Sequence, residues 1–383
     1  MALLWIDGFD AYGLPTNNYG IISPALDKAG YVRQGIDGND WVASTDTRTG
    51  VGWSLTGNST HPQNIITNFK TSGSVTVGFA LKVNAGGFNP ICFLGYNDYN
   101  GNIGNGFNYC GQPYYGVPNS GDCAEQIKVY SNGSNGVTVR TEPSNSNDGG
   151  TFLAASSPNV LFDGVWQYME IEYTPGLGTT GTLEVRLDNV TIIYIANGVT
   201  MDNVWPAYVN FFGFEITDGN AVIYDDLYIL DNTTSSFNTF LGDCVVHAIF
   251  PNSDAGPNTM AVTGGVGSTH YTAIDENPPN MGVSYVSSNT SGQAEHYGLS
   301  AFPNDIIDVL AMSVCVLAEK TAPGIGFYES VLVYNGVEVD SPGPGFSAPM
   351  TWCQTQFTVT APPGGGTWSL AACKAAQIGV KIP

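Results

Sequence analysis

Positive charge is what this chain most lacks. Eleven lysines and arginines stand against 33 aspartates and glutamates, a formal net charge of -22 over 383 residues. Nucleic-acid binding needs cations that displace counterions from phosphates, and no basic patch supplies them. An anionic membrane surface repels such a chain for the same reason. Charged residues of either sign make up only 11%, well below the usual share of about a quarter. The polar surface must therefore come from Asn, Ser, Thr, Gly and Tyr. Long apolar runs are also missing, and no stretch approaches the ~20 residues that span a bilayer. The opening Met-Ala-Leu-Leu-Trp-Ile-Asp carries no cationic segment and reaches an acid at Asp7, so a secretory signal peptide is not expected. The seven cysteines include no Cys-x-x-Cys pair of the zinc or redox kind. Cys110 and Cys123 flank a loop rich in Gly, Pro and Tyr and could close it with a disulfide; buried small hydrophobes are the plainer reading.

What the chain has in abundance is turn chemistry. Its 48 glycines and 22 prolines are spread throughout, with many Asn-Gly and Asp-Gly pairs that supply the positive φ of tight hairpins. Between them lie short alternating runs at 74–83, 182–187 and 191–195. Period-two alternation of β-branched and aromatic residues reads as half-buried strands, and many short strands separated by turns indicate a sandwich. In residues 163–173, Trp166, Tyr168, Glu170 and Glu172 share one face, while Val165, Met169, Ile171 and Tyr173 share the other. A glycine-rich turn at 175–181 and a second strand ending near Asp188 and Asn189 make this a hairpin.

The expected fold class is all-β, with two β-sandwich, jelly-roll-like domains and one short helix near the C-terminus. Segments 3–9 and 221–230 are expected to pair, closing a first domain over 1–235, and the polar stretch 231–236 marks the boundary. A second sandwich is expected over 236–383. Its strands are placed at 240–250, near 306–317, 325–334 and 354–360, with a last one at 379–382. A helix is expected within 367–376, capped by Thr367 and ended by Gly379. No short-period repeat is present, which disfavours a solenoid or fibrous shaft.

The Asp-Gly-Val-Trp-Gln-Tyr-Met-Glu-Ile-Glu-Tyr run at 163–173, followed by Leu-Glu-Val-Arg-Leu-Asp-Asn at 183–189, resembles the strand and hairpin of concanavalin A-like jelly rolls, the laminin-G group in particular. A narrower resemblance covers most of the chain. Segments 4–10, 224–231, 238–243, 267–279 and 285–288 are similar, in the same order, to segments of tailed-bacteriophage virion proteins. That resemblance implies a virion localisation and other virion proteins, capsid or tail subunits, as partners. The implied function is a non-enzymatic structural protein exposed on the particle, with capsid decoration (a cement role) foremost. A homo-oligomer is expected, with a trimer as one form. A tail-associated fibre, spike or adaptor role is the alternative, as is a carbohydrate-binding module that recognises a host surface glycan.

Jelly rolls also host β-glucanases, which resemble one another in a Glu-x-Asp-x-x-Glu strand whose acids act from one face. The nearest match, Glu170 and Glu172, lacks the central Asp spacing and the last Glu, so two exposed strand carboxylates are expected and no enzyme. The histidines His61, His247, His270 and His296 show no metal-binding spacing. Ser268 beside His270 has no nucleophile-elbow context. Asp7, Asp10, Asp225 and Asp226 converge if the terminal strands pair, and calcium favours such oxygens. No Asp-rich loop supports that reading, and satisfying turn amides is the simpler role. Neither metal nor cofactor is expected. The most suggestive surface is the loop containing Tyr96, Tyr99, Tyr109, Tyr114 and Tyr115. Tyrosine is a low-entropy anchor at protein contacts and stacks on sugars, so these are candidate subunit- or carbohydrate-binding residues.

Overall fold

The computed structural model describes residues 3–12, 26, 31–34, 41–50, 53–57, 63–69, 73–83, 87, 89–97, 123–141, 151–201, 207–216, 222–232, 235, 237–277, 279–280, 282–299, 302–304, 306–322, 326–341, 345–346 and 350–383. Two compact units divide the chain, the first ending at Val246 and the second beginning at His247. Both are built almost wholly of antiparallel strands, and the fold is all-β with one short helix near the C-terminus.

In the first unit the strands begin with β1 (Leu3–Asp7), β2 (Tyr31–Gln34), β3 (Trp41–Ser44), β4 (Ser54–Gly57) and β5 (Gln63–Asn68). They continue with β6 (Val75–Val83), β7 (Pro90–Asn97), β8 (Cys123–Ser131), β9 (Val137–Thr141) and β10 (Thr151–Ala155). β11 (Trp166–Thr174), β12 (Gly181–Leu187), β13 (Val190–Gly198), β14 (Phe211–Ile216) and β15 (Val222–Leu230) complete the set. One sheet has the order β13-β12-β11-β6-β15-β4-β3, with β1 beside β15. The other runs β10-β9-β8-β7-β14-β5-β2.

Alternation explains how the sheets face each other. Phe79 of β6 meets Phe214 of β14 edge-on at 5.1 Å, Phe212 meets Phe214 at 4.9 Å, and Phe214 stacks on Tyr224 at 4.1 Å. These rings are fully buried and fill the space between two inner faces, as in a jelly-roll sandwich. The Tyr224 hydroxyl avoids being stranded there by donating to the Ile91 carbonyl at 2.7 Å. The β11–β12 hairpin forms as expected, and β12 turns into β13 through Asp188 and Asn189 at φ of 50° and 65°. Two successive positive φ values are what a type I′ hairpin needs, and Asp and Asn tolerate them. The expected pairing of the first and last strands is also present, with Ile6 opposite Tyr228.

The second unit contains β16 (Pro251–Asn258), β17 (Ala261–Thr263), β18 (Tyr285–Ser287), β19 (Ala294–Leu299), β20 (Met312–Lys320) and β21 (Gly326–Phe327). After these come β22 (Glu329–Tyr334), β23 (Val337–Asp340), β24 (Gly345–Phe346), β25 (Met350–Val359) and β26 (Gln377–Lys381). A sheet of order β16-β19-β26-β22-β23 packs on the β20-β25 ribbon. Between them lie Val314, Leu332, Trp368 and Cys373, the last from helix α1 (Leu370–Ala375).

Three expectations change here. The helix is shorter than 367–376, because Ser369, not Thr367, accepts the Ala372 amide at 3.1 Å. Gly379 does not end it but sits inside β26, where a Cβ would lie 1.9 Å from the Glu295 carbonyl oxygen. Residues 240–250 form no strand. The tract 236–246, given to the second domain from the sequence, belongs to the first unit, and its polar partners explain why.

Candidate functional site

The first unit concentrates its ionisable groups on the outer face of β11, β6 and β15. A β-bulge in β15 makes this possible. The register against β6 shifts between Asp225 and Tyr228, and Asp226 adopts φ 53°. An extra residue reverses the facing of the strand beyond it. Tyr224 therefore enters the core, whereas Tyr228 turns outward over Gly78, where a Cβ would meet its ring at 2.2 Å. There it stacks beside Tyr168 at 6.4 Å and donates its hydroxyl to Glu170.

An extended strap, residues 241–246, covers this face. The Gly242 amide donates to Glu170 Oε1 at 2.8 Å, the Leu241 amide to the Tyr228 hydroxyl at 3.2 Å, and the Val246 amide to Asp226 Oδ1 at 2.8 Å. Arg48 binds Asp226 at 3.2 Å, the Cys244 carbonyl at 2.8 Å and the Asp243 carboxylate, with its guanidinium 5.1 Å from the Tyr168 ring centroid. Side chains thus take the amides that a strand would have given to a neighbour. The strap hides Glu170, which is 1% exposed. The sequence reading of Glu170 as an exposed carboxylate is corrected: it is a buried acceptor whose ligands come from a tract about 70 residues further along.

Burial pushes the Asp225 and Asp226 carboxyls above the usual range, and repulsion from Asp226 and Asp10 adds to the effect at Asp225. At Asp226 the Val246 amide and Arg48 work the other way. Burial also lifts the Cys244 thiol to about 12, so it is not a thiolate nucleophile at neutral pH. Asp7, Asp10, Asp225 and Asp226 do converge on this side, but each carries internal donors. Asp7 accepts from Tyr12, Tyr31 and the Phe9 amide, and Asp10 from the Trp53 amide. Among the described residues no group of three His, Cys, Asp or Glu side chains is placed to hold a metal ion.

On the outer face of the second sheet, Lys128 of β8 pairs with Glu215 of β14 at 2.5 Å and lies 5.5 Å from the Tyr130 ring centroid. Arg140 of β9 stands opposite Lys128. This sheet also carries the strands that bound the tyrosine-rich connection. Tyr96 lies near the end of β7, opposite Ala124. Tyr99, Tyr109, Tyr114 and Tyr115 lie outside the described residues, as does Cys110.

In the second unit the buried Glu295 accepts from the Met260 amide at 2.6 Å, Asn258 at 2.9 Å and Tyr297 at 3.1 Å, and bonds His270 Nδ1 at 2.8 Å. Among the described residues no hydroxyl is hydrogen-bonded to the His270 ring. The nucleophile–base contact that hydrolysis needs is therefore not formed with Ser268. On the opposite face of the same sheet, Lys381 sits between Glu329 at 3.5 Å, Glu338 at 3.0 Å and Asp340. The concavity at Val83, Ser131, Asn135 and Leu161 has room for about one water.

One feature with no sequence-level candidate stands out. β10 and β13 are the end strands of the two facing sheets and lie near each other along one side of the sandwich. That rim exposes Phe152 (58%), Phe162 (56%), Val190 (63%) and Tyr194 (65%), together with Val165, Leu177 and Val199. Segments 151–162 and 189–201 contain no charged residue. Uncharged, outward-facing edges of this kind invite contact, because natural sheets usually guard an edge with charge. The signal was present in the sequence as two charge-free runs.

No family model and no curated protein matches the chain. Among solved structures it is similar to a marine alginate lyase from Aplysia kurodai, at 12% identity over 60% of this chain and 100% of that one, with a TM-score of 0.42. It is also similar to an endo-beta-1,4-glucuronan lyase from the fungus Trichoderma reesei, at 13% identity over 52% and 94%, TM-score 0.34. A third is the cellulose induced protein Cip1, at 17% identity over 63% and 94%, TM-score 0.33. At these values the likenesses carry no argument about chemistry.

Proposed function

We propose that this chain is a non-enzymatic structural protein exposed on a tailed-bacteriophage particle, acting by contact with other subunits. The observation that carries the contact role is the charge-free apolar rim along β10 and β13. The virion setting rests on the ordered resemblance of segments 4–10, 224–231, 238–243, 267–279 and 285–288 to phage particle proteins. Capsid decoration is favoured over a tail role, since the chain has no repeat suited to a shaft. Antibody raised against the chain and imaged on purified particles tests the proposal. Label over the head supports decoration and label at the tail supports an adaptor. Particles without any label overturn the virion role.

Glycan binding is the second reading, favoured by Lys128, Arg140 and Tyr130 on the sheet that also bounds the tyrosine-rich connection. A glycan array showing no signal that depends on Tyr114 or Tyr115 removes it. Release of unsaturated or reducing sugar ends from host polysaccharide would overturn the non-enzymatic assignment altogether.

A further inference from the structure

We infer that two copies of this chain pair along the β13 edge, antiparallel about a two-fold axis at Tyr194, joining their β13-containing sheets into one. The inference deepens the contact role proposed above and rests on it, naming the partner as a second copy.

The edge is open on one side, because β13 ends its sheet and pairs only with β12 among the described strands. Its nine residues centre on Tyr194. Pairing over the full length sets Val190 opposite Gly198, Thr191 opposite Asn197, Ile192 opposite Ala196 and Ile193 opposite Ile195 of the copy, with the two Tyr194 residues meeting on the axis. Every one of these pairs is apolar, polar-neutral or aromatic, and β-branched and aromatic pairs are those that stabilise antiparallel sheets. No like charges face each other. A two-fold contact uses the same patch twice, so a strand whose sequence suits its own reversal needs no other partner.

Charge argues for the same occupant. Two bodies of -22 repel over most of their surfaces, and a cationic partner would gain nothing from a neutral rim. The uncharged run 189–201 is where copies can approach without opposing acids. The side chains around the strand extend the seam. The Phe162 amide donates to Gln167, which in turn donates to Asp188 at the β12–β13 turn. Leu177 lies in the turn whose Gly176 carbonyl accepts the Thr200 amide. Phe162 and Leu177 therefore border opposite ends of β13, and pairing covers both.

The test is the mass of the intact chain by light scattering after size exclusion, at tens of micromolar, for the wild type, Tyr194→Phe and Tyr194→Lys. The expected result is twice the chain mass for the wild type and Tyr194→Phe. Tyr194→Lys, which places two ammonium groups on the axis, should run at the single-chain mass with an unchanged circular dichroism spectrum and melting point. Tyr194→Cys should give a reductant-sensitive disulfide dimer under mild oxidation, and the wild type should not. A monomeric or trimeric wild type, or a Tyr194→Lys that keeps the wild-type mass, overturns the pairing. A dimer in which Tyr194→Cys fails to cross-link overturns it as well. The contact role stands or falls separately: a monomer that still binds purified particles retains it, and a dimer that binds none loses it.

Discussion

Each unit holds one cation among acids, but in opposite settings. Arg48 lies under the strap between Asp226 and Asp243, with Asp226 2% exposed. Lys381 rests on an open sheet face among Glu329, Glu338 and Asp340, each between a fifth and two-fifths exposed. The lesson is that the number of ion pairs says little about their worth. Water screens the second group and leaves the first to depend on its partners.

Removing Arg48 should separate the two settings most sharply. Arg48→Ala leaves Asp226 buried without its cation and frees the strap, so urea denaturation should show a loss of about 3–5 kcal/mol. Tyr228→Phe should cost less, about 1–3 kcal/mol, by taking a hydrogen bond from the buried Glu170. Hydrogen exchange at the Leu241 and Gly242 amides should rise in the same variant.

Asp225 gives a pH-dependent version of the comparison. Its folded pKa is raised, so the folded chain keeps a proton that the unfolded chain has already lost. Stability from this group is full below about pH 4 and drains away as pH climbs through the raised value. Asp225→Asn should therefore stabilise the protein at pH 8 by about 1 kcal/mol, with the gain closing towards pH 4 in paired melts. The smallest effect belongs to the exposed group. Lys381→Met should change stability by less than about 1 kcal/mol, and salt should shrink the difference further.

The same contrast explains what could be read from the sequence. Alternation placed β11 and β12 and their turn, because a period of two and a positive-φ Asp-Asn pair are local facts. It placed the pairing of the terminal strands because both runs were apolar. It failed at Glu170, where period two correctly chose the outer face but cannot reveal that residues 241–246 return to cover it. It failed at 240–250 for the converse reason: the apolar run looked like a strand, yet Asp226, Glu170 and Tyr228 take up its amides one by one. Gly379 was misread because a glycine beside a helix and a glycine under a neighbouring carbonyl look alike in one dimension. Of the tyrosine candidates, only Tyr96 falls among the described residues. The rim at β13 was legible as missing charge, a signal easily overlooked in a chain with so little charge anywhere.

The strap also has a mechanical meaning. It is the last stretch of the first unit before the chain continues at His247, so a tug from that direction reaches it before it reaches any sheet. Its attachments are few and successive: the Val246 amide, then the grip of Arg48, then the Gly242 amide. They would give way in that order, like stitches in a hem, while the layered stack of aromatic rings behind them stays shut. A component that must ride out jolts gains a built-in yield point that leaves its folded body intact.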